Sequence, residues 1–147
     1  MGYWSPSRVA HLSSAILSAV GLPLSIYLVS PGNLPQFCEV GGRFSCETVI
    51  HSEYSRFMGI PVAAIGAVWF GAALALSLAA VAGLRVGNIL LYWSILGVLG
   101  ALALLFVEVF MIGSICLLCT FAHAAGAGVF ASAYLARLWS QPPITSG

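Results

Sequence analysis

The chain's four cysteines fall into two pairs. Cys38 and Cys46 form a C-x7-C in the long polar segment Ser30–Gly59, and Cys116 and Cys119 form a C-x-x-C opening the last apolar run. Two dithiols at one surface can hand on two electrons, because a thiolate attacks a disulfide sulfur and passes through a mixed disulfide. That spacing therefore reads as a redox relay. Ser114 stands where it can cap the last helix, which would put Cys116 in the first turn and Cys119 a turn deeper. Free N–H groups and the helix dipole favour negative charge there, and a lowered thiol pKa is the usual activation of a C-x-x-C. The alternatives are cysteines that merely pack, a structural disulfide closing the Cys38–Cys46 loop, and a four-cysteine zinc site. The loose C-x7-C and the apolar neighbours Ile115, Leu117, Leu118 and Phe121 argue against zinc, so no metal is expected.

These cysteines must be positioned by a membrane fold. Hydrophobic residues make up 61% of the chain and charged residues only 6%, whereas a soluble domain carries roughly 25% charged residues. Apolar runs extend over about 9–29, 60–84, 89–112 and 115–138, each close to the roughly 20 residues that a spanning helix needs. The expected fold is an all-α integral membrane protein, a single four-helix bundle over 1–147 with a long outer loop at 30–59. The first run is too long for a signal-peptide core and lacks a small-residue cleavage site, so it reads as a retained helix. Gly113 and Ser114 nearly suffice to join the last two helices, and Gly83 to Asn88 makes a tight turn between the second and third. Loops as long as 30–59 are usually functional or disordered. Within this one, Ser45 to Phe57 is predicted to form a short helix, with Val49, Ile50, Tyr54 and Phe57 as an apolar edge over the bundle mouth. The tail from Gln141 reads as disordered.

Charge orients the bundle. Both termini and the turn at Arg85 share one side, which holds Arg8, Arg85 and Arg137 and no acid. The other side holds Arg43 and Arg56 balanced by Glu39, Glu47 and Glu53. The positive-inside rule makes the first side cytoplasmic, and both cysteine pairs then face the compartment in which disulfides persist. Tyr3, Trp4, Tyr54, Tyr92 and Trp139 lie near the expected interfaces. The chain has no Lys, and with no basic endoplasmic-reticulum retrieval tail the expected location is a prokaryotic plasma membrane; the endoplasmic reticulum is the alternative.

The order of motifs resembles the vitamin K epoxide reductase family. The matching text is Phe37-Cys38-Glu39-Val40, Ser45-Cys46-Glu47-Thr48-Val49, Ser52-Glu53-Tyr54, Gly59-Ile60-Pro61-Val62-Ala63 and Ile115-Cys116-Leu117-Leu118-Cys119. Bacterial DsbB-type quinone reductases also use four helices and four cysteines, but place the two spacings in the reverse order. Nothing in the chain resembles the thioredoxin-like domain fused to some prokaryotic members.

The resemblance implies that Cys116 and Cys119 are the active-site pair, with Cys119 beside a quinone, and that Cys38 and Cys46 are the shuttle pair. Cys46 would exchange with Cys116, and Cys38 would meet a thioredoxin-like, DsbA-like thiol protein on the outer side. Thioredoxin-like oxidants span roughly −270 to −120 mV, and respiratory quinones are commonly more oxidising than the lower part of that range, so the relay would run towards disulfide formation. The bound quinone would be a menaquinone, ubiquinone or vitamin K type. His123 stands at i+4 from Cys119 on the same helix face, where animal members carry a Tyr, and is a candidate donor to a quinone carbonyl. The animal family's Asn donor has no counterpart, since Val62 falls roughly there. Ile65, Trp69 and Phe70 on the second helix and Tyr54 in the loop are candidates to pack the ring. Glu39 and Ser52 would anchor the loop or tune its thiols. Glu108 is the one acid inside an apolar run, and an intramembrane acid is a functional candidate by default. Lipid and the thiol protein are the expected partners, the chain is expected to act as a monomer, and no nucleic acid is expected. The rival readings are a vitamin K epoxide reductase of an animal-type cycle and a non-enzymatic membrane protein with structural disulfides.

Overall fold

The computed structural model describes residues 4–141. It is an all-α bundle with four helices long and apolar enough to cross a membrane. Helix α1 spans Pro6–Val29, where the Ser5 hydroxyl accepts the Arg8 N–H and proline occupies the first turn, both favoured helix starts. The outer segment then gives a 3-10 turn at Gln36–Cys38, helix α2 at Cys46–Ile50, a second 3-10 turn at Glu53–Ser55, and strands β1 (Arg56–Phe57) and β2 (Ile60–Pro61). Helix α3 runs over Val62–Val81, α4 over Gly87–Phe106 continuing as a π-helical stretch Val107–Ile112, and α5 over Leu117–Ser140.

Helix α1 forms the centre of the bundle. It packs along both α3 and α5, while α4 leans on α5 and touches α3 only lightly. Its buried face is a row of small residues, Ala10, Ser14, Ala15, Ser18, Gly21 and Ser25. In lipid, where tails are as apolar as leucine, such rows let backbones approach closely. Gly21 receives the Phe70 ring so tightly that a Cβ there would overlap it. Ser14 and Ser77 share a buried hydrogen bond of 2.9 Å between α1 and α3. Large apolar side chains such as Ile16, Val68, Leu99 and Phe110 point outward, as expected where the surroundings are hydrocarbon.

Two local expectations are corrected. The stretch Ser45 to Phe57 is not one helix. The α-helix ends at Ile50, Ser52 begins a 3-10 turn, and Arg56–Phe57 pairs with Ile60–Pro61 across a turn in which Met58 and Gly59 both have positive φ. Val49 is buried and Ile50 half-buried, but Tyr54 and Phe57 are exposed, so the apolar edge stops after one turn. Ser114 does not cap the last helix. Cys116 itself is the N-cap of α5, with extended backbone, and its sulfur accepts the Cys119 N–H at 3.2 Å. The physical reason is a tertiary contact: Ile115 is held extended by bonding to the outer loop. Tyr3 and the tail beyond 141 lie outside the described residues.

Candidate active site

The outer loop brings the two cysteine pairs together. Cys38 and Cys46 are joined in a disulfide with Cα atoms 5.6 Å apart, and Cys116 and Cys119 are free thiols. The sulfurs of Cys38, Cys46 and Cys116 all lie within 4.8 Å of one another and are fully buried. The free Cys116 thiol thus lies beside the Cys38–Cys46 disulfide. Leu28, Val49 and Leu118 bury this cluster.

Local geometry holds this arrangement. The Ile115 N–H donates to the Arg43 carbonyl at 2.7 Å, and the Ser45 N–H donates to the Ile115 carbonyl at 3.2 Å. These bonds set Cys46 and Cys116 side by side. Ser45 caps α2 by accepting the Thr48 N–H, and the Glu39 carboxylate accepts the Glu47 N–H at 3.0 Å. That backbone bond, supported by the Ser45 hydroxyl, holds the exposed Glu39 carboxyl below its ordinary range. Ser52 donates to the Val49 carbonyl at 2.7 Å. Glu39 and Ser52 thus both fasten the loop around Cys46.

Cys116 lies just outside the spanning segments. The Cys119 side chain first, then the N–H groups of Cys119 and Leu118, hold its thiol below its ordinary value against burial and the nearby Glu108. A thiol held low in this way is the readier leaving group in disulfide exchange. The helix N-terminus does this from the N-cap position rather than from within the first turn.

Cys119 packs against this cluster and also lines a cavity of about 700 Å³ bounded by α1, α3, α4, α5 and the outer loop. Ile65, Trp69, Phe70, Tyr54, Ser52, Glu108 and His123 all line it, as does Val62. The structure therefore gathers every residue singled out for the ring around one chamber, together with Ser52 and Glu108, while Glu39 does not line it. The wall is mainly apolar with a few polar groups, the usual make-up of a small-molecule site. Among the described residues, His123 Nδ1 is buried and has no hydrogen-bond partner, an orphan polar atom in a chamber large enough for a ring. The light contact between α3 and α4 leaves the chamber bordered by exposed Val68 and Leu99, on the side open to lipid.

Trp93 was not apparent from the sequence. Trp69 Nε1 donates to the Trp93 carbonyl and Trp93 Nε1 to the Trp69 carbonyl, each at 3.1 Å. This reciprocal pair bridges α3 and α4 where they otherwise part. Gly97 makes room for it, since a Cβ there would overlap the Trp69 ring. A tryptophan with a glycine one turn on was the available signal, but which helix it met was not. His51 and Arg56, at the loop edge of the chamber, were missed as well.

The family model described as the Vitamin K epoxide reductase family matches residues 12–135. The chain belongs to that family. A search of curated proteins finds no match. Family membership makes this vitamin K epoxide reductase family protein a multi-pass membrane oxidoreductase with quinone-related redox chemistry. The matched span contains all four cysteines, the outer loop and the chamber, so the paired thiols and the apolar site belong to the family domain.

Proposed function

We propose that the protein is a membrane thiol:quinone oxidoreductase. It carries two electrons from a thioredoxin-like, DsbA-like protein dithiol through Cys38 and Cys46 to Cys116 and Cys119, and on to a quinone, in support of disulfide bond formation. The observation that carries this reading is the division of labour in the C-x-x-C: the Cys116 sulfur lies within 4.8 Å of both sulfurs of the loop disulfide, while Cys119 lines the chamber.

The steps balance as thiol–disulfide exchange followed by quinone reduction. A partner thiolate attacks Cys38, and Cys46 leaves as the thiolate. The partner's second thiol closes its own disulfide and frees Cys38. The Cys46 thiolate then attacks Cys116 in the oxidised Cys116–Cys119 pair, and Cys38 resolves the mixed disulfide, leaving two thiols in the active-site pair. Finally the two thiols give two electrons and two protons to the quinone, which departs as quinol, and Cys116 and Cys119 close as a disulfide. Because Cys38 is fully buried, the partner reaches it only when the segment that covers it moves aside. Trp69, Phe70 and Ile65 pack the ring, Tyr54 covers it, and His123 donates to a carbonyl. With Arg8, Arg85 and Arg137 on the cytoplasmic side of a prokaryotic plasma membrane, the relay faces outward.

Alanine at each cysteine tests the reading, with a protein dithiol and a small penetrating dithiol as alternative donors. Cys116→Ala and Cys119→Ala should abolish quinone reduction by both donors. Cys38→Ala and Cys46→Ala should lose reduction by the protein donor and retain that by the small dithiol. Full turnover with the protein donor in all four variants would refute the relay.

A further inference from the structure

Glu108 is nearly fully buried at membrane depth, and none of the steps above uses it. Its carboxylate accepts the backbone N–H of Cys116 at 3.3 Å, and its side chain also lines the chamber that holds Cys119 and His123. It is placed by the π-helical stretch Val107–Ile112. Such widened turns occur frequently at functional sites. A glutamine would accept the same N–H without placing an ionisable group in a dry site, where an incompletely paired charge is costly. What the carboxyl adds is a proton it can take and release. We propose that Glu108 is the proton carrier between the Cys116 thiol and the quinone, an assignment that rests on the thiol:quinone reading above.

The balance is closed. Cys116–SH and Cys119–SH reduce the quinone to quinol and become a disulfide; two electrons leave the sulfurs and two protons leave the thiols. The Glu108 carboxylate takes the Cys116 proton as that sulfur becomes a thiolate and bonds to the Cys119 sulfur. The electron pair passes to the quinone. The Glu108 carboxyl delivers its proton to the quinone oxygen beside it, and the Cys119 proton goes to the other oxygen. Glu108 ends each turnover as it began. The other titratable or charged groups on the chamber are Cys119 and His123 from α5 and His51, Tyr54 and Arg56 from the outer loop; α1 and α3 contribute none.

The test uses full-length protein reduced with a small dithiol and mixed with a short-chain benzoquinone in a single turnover. Glu108→Gln should slow quinone reduction about 10²-fold, the lower range for a lost general acid–base group. It should also remove one ionisation from the pH–rate profile. Exchange between the loop disulfide and Cys116 should not be slowed, because the amide still accepts the Cys116 N–H and the carboxylate that opposes a low Cys116 thiol is gone. Glu108→Asp should recover part of the rate. In the wild-type protein, time-resolved infrared spectra during the turnover should show a transient carboxyl band that Glu108→Gln lacks. Wild-type quinone reduction in Glu108→Gln, or a pH–rate profile unchanged by that substitution, would overturn the assignment and leave Glu108 as an anchor for Cys116. A wild-type protein that reduces no quinone at all would instead overturn the thiol:quinone reading itself.

Discussion

Ile115, the residue before the C-x-x-C, forms a parallel bridge with Phe44, two residues before Cys46. The Ile115 N–H and C=O bond on either side of Phe44, to Arg43 and Ser45. Cys46 and Cys116 are therefore held together through main chain and not by their side chains alone. Thiol exchange depends on such pre-set proximity, because holding reactants in place removes a bimolecular step.

The Ile115 amide should accordingly be among the slowest-exchanging hydrogens at the outer surface. Ile115→Pro removes the donor to Arg43. A hydrogen bond contributes about 1 kcal/mol net, so transfer of electrons from the loop pair to the C-x-x-C should slow roughly fivefold. Quinone reduction by a pre-reduced C-x-x-C should be little changed. Rapid-quench trapping of the free thiols measures both steps, and equal slowing of both would show that the bridge merely holds α5 in place.

His123→Ala should lower kcat for quinone reduction and weaken quinone binding while leaving exchange between the pairs intact. Loss of one donor aimed at developing charge in a dry site removes about 10²–10³ in rate. His123→Tyr should restore much of it, since a phenol offers a donor from the same helical turn. A residue that only filled space would give the reverse order, with Tyr worse than Ala. Steady-state kinetics on the three proteins, with a quinone titration, separates these outcomes.

The Trp69–Trp93 pair should set the stability of the α3–α4 junction. Trp93→Phe removes one hydrogen bond and should lower stability by about 0.6–1.7 kcal/mol, the range for interhelical bonds in membranes. Gly97→Ala drives a methyl into the Trp69 ring and should lower it by about 1–3 kcal/mol, as overpacking does. Thermal unfolding in detergent reads both, and quinone protection against unfolding should fall most in Gly97→Ala, where the chamber wall is displaced.

Glu39 links the stability of the loop to pH. Its folded pKa lies below the ordinary value of 4.5, chiefly because it accepts the Glu47 N–H. A depressed carboxyl contributes stability that is present above the unfolded value and is lost as pH falls through the folded one. Resistance of the Cys38–Cys46 disulfide to a small phosphine reductant should therefore be flat from neutral pH down to about the ordinary carboxylate range and then decline. Glu39→Gln should flatten that acid decline, and an unchanged decline would place its origin in another group.

The sequence by itself determined the solvent, the number of spans and the chemistry of the cysteines. Apolar runs of spanning length and the near absence of charge leave no other arrangement for these helices, because backbone groups in lipid must be satisfied within each segment. The two spacings of four cysteines, read in order, carried the family. The i+4 relation put His123 on the face of Cys119, since helical periodicity is local. Tertiary structure decided the rest. Cys116 sits at the N-cap instead of in the first turn because Ile115 pairs with Phe44 through bonds to Arg43 and Ser45, partners far away in the chain that no local pattern names. Likewise the short helix stops at Ile50 because the chain beyond Ser52 turns to pair β1 with β2. Trp93 became visible only when α4 met α3, and Glu108 acquired its partner only when α5 began beside the π-helical stretch. Periodicity tells which face of a helix is apolar, but a helix that is apolar all round, as α3 and α4 are, does not tell which neighbour it meets. Only close packing in three dimensions makes that choice.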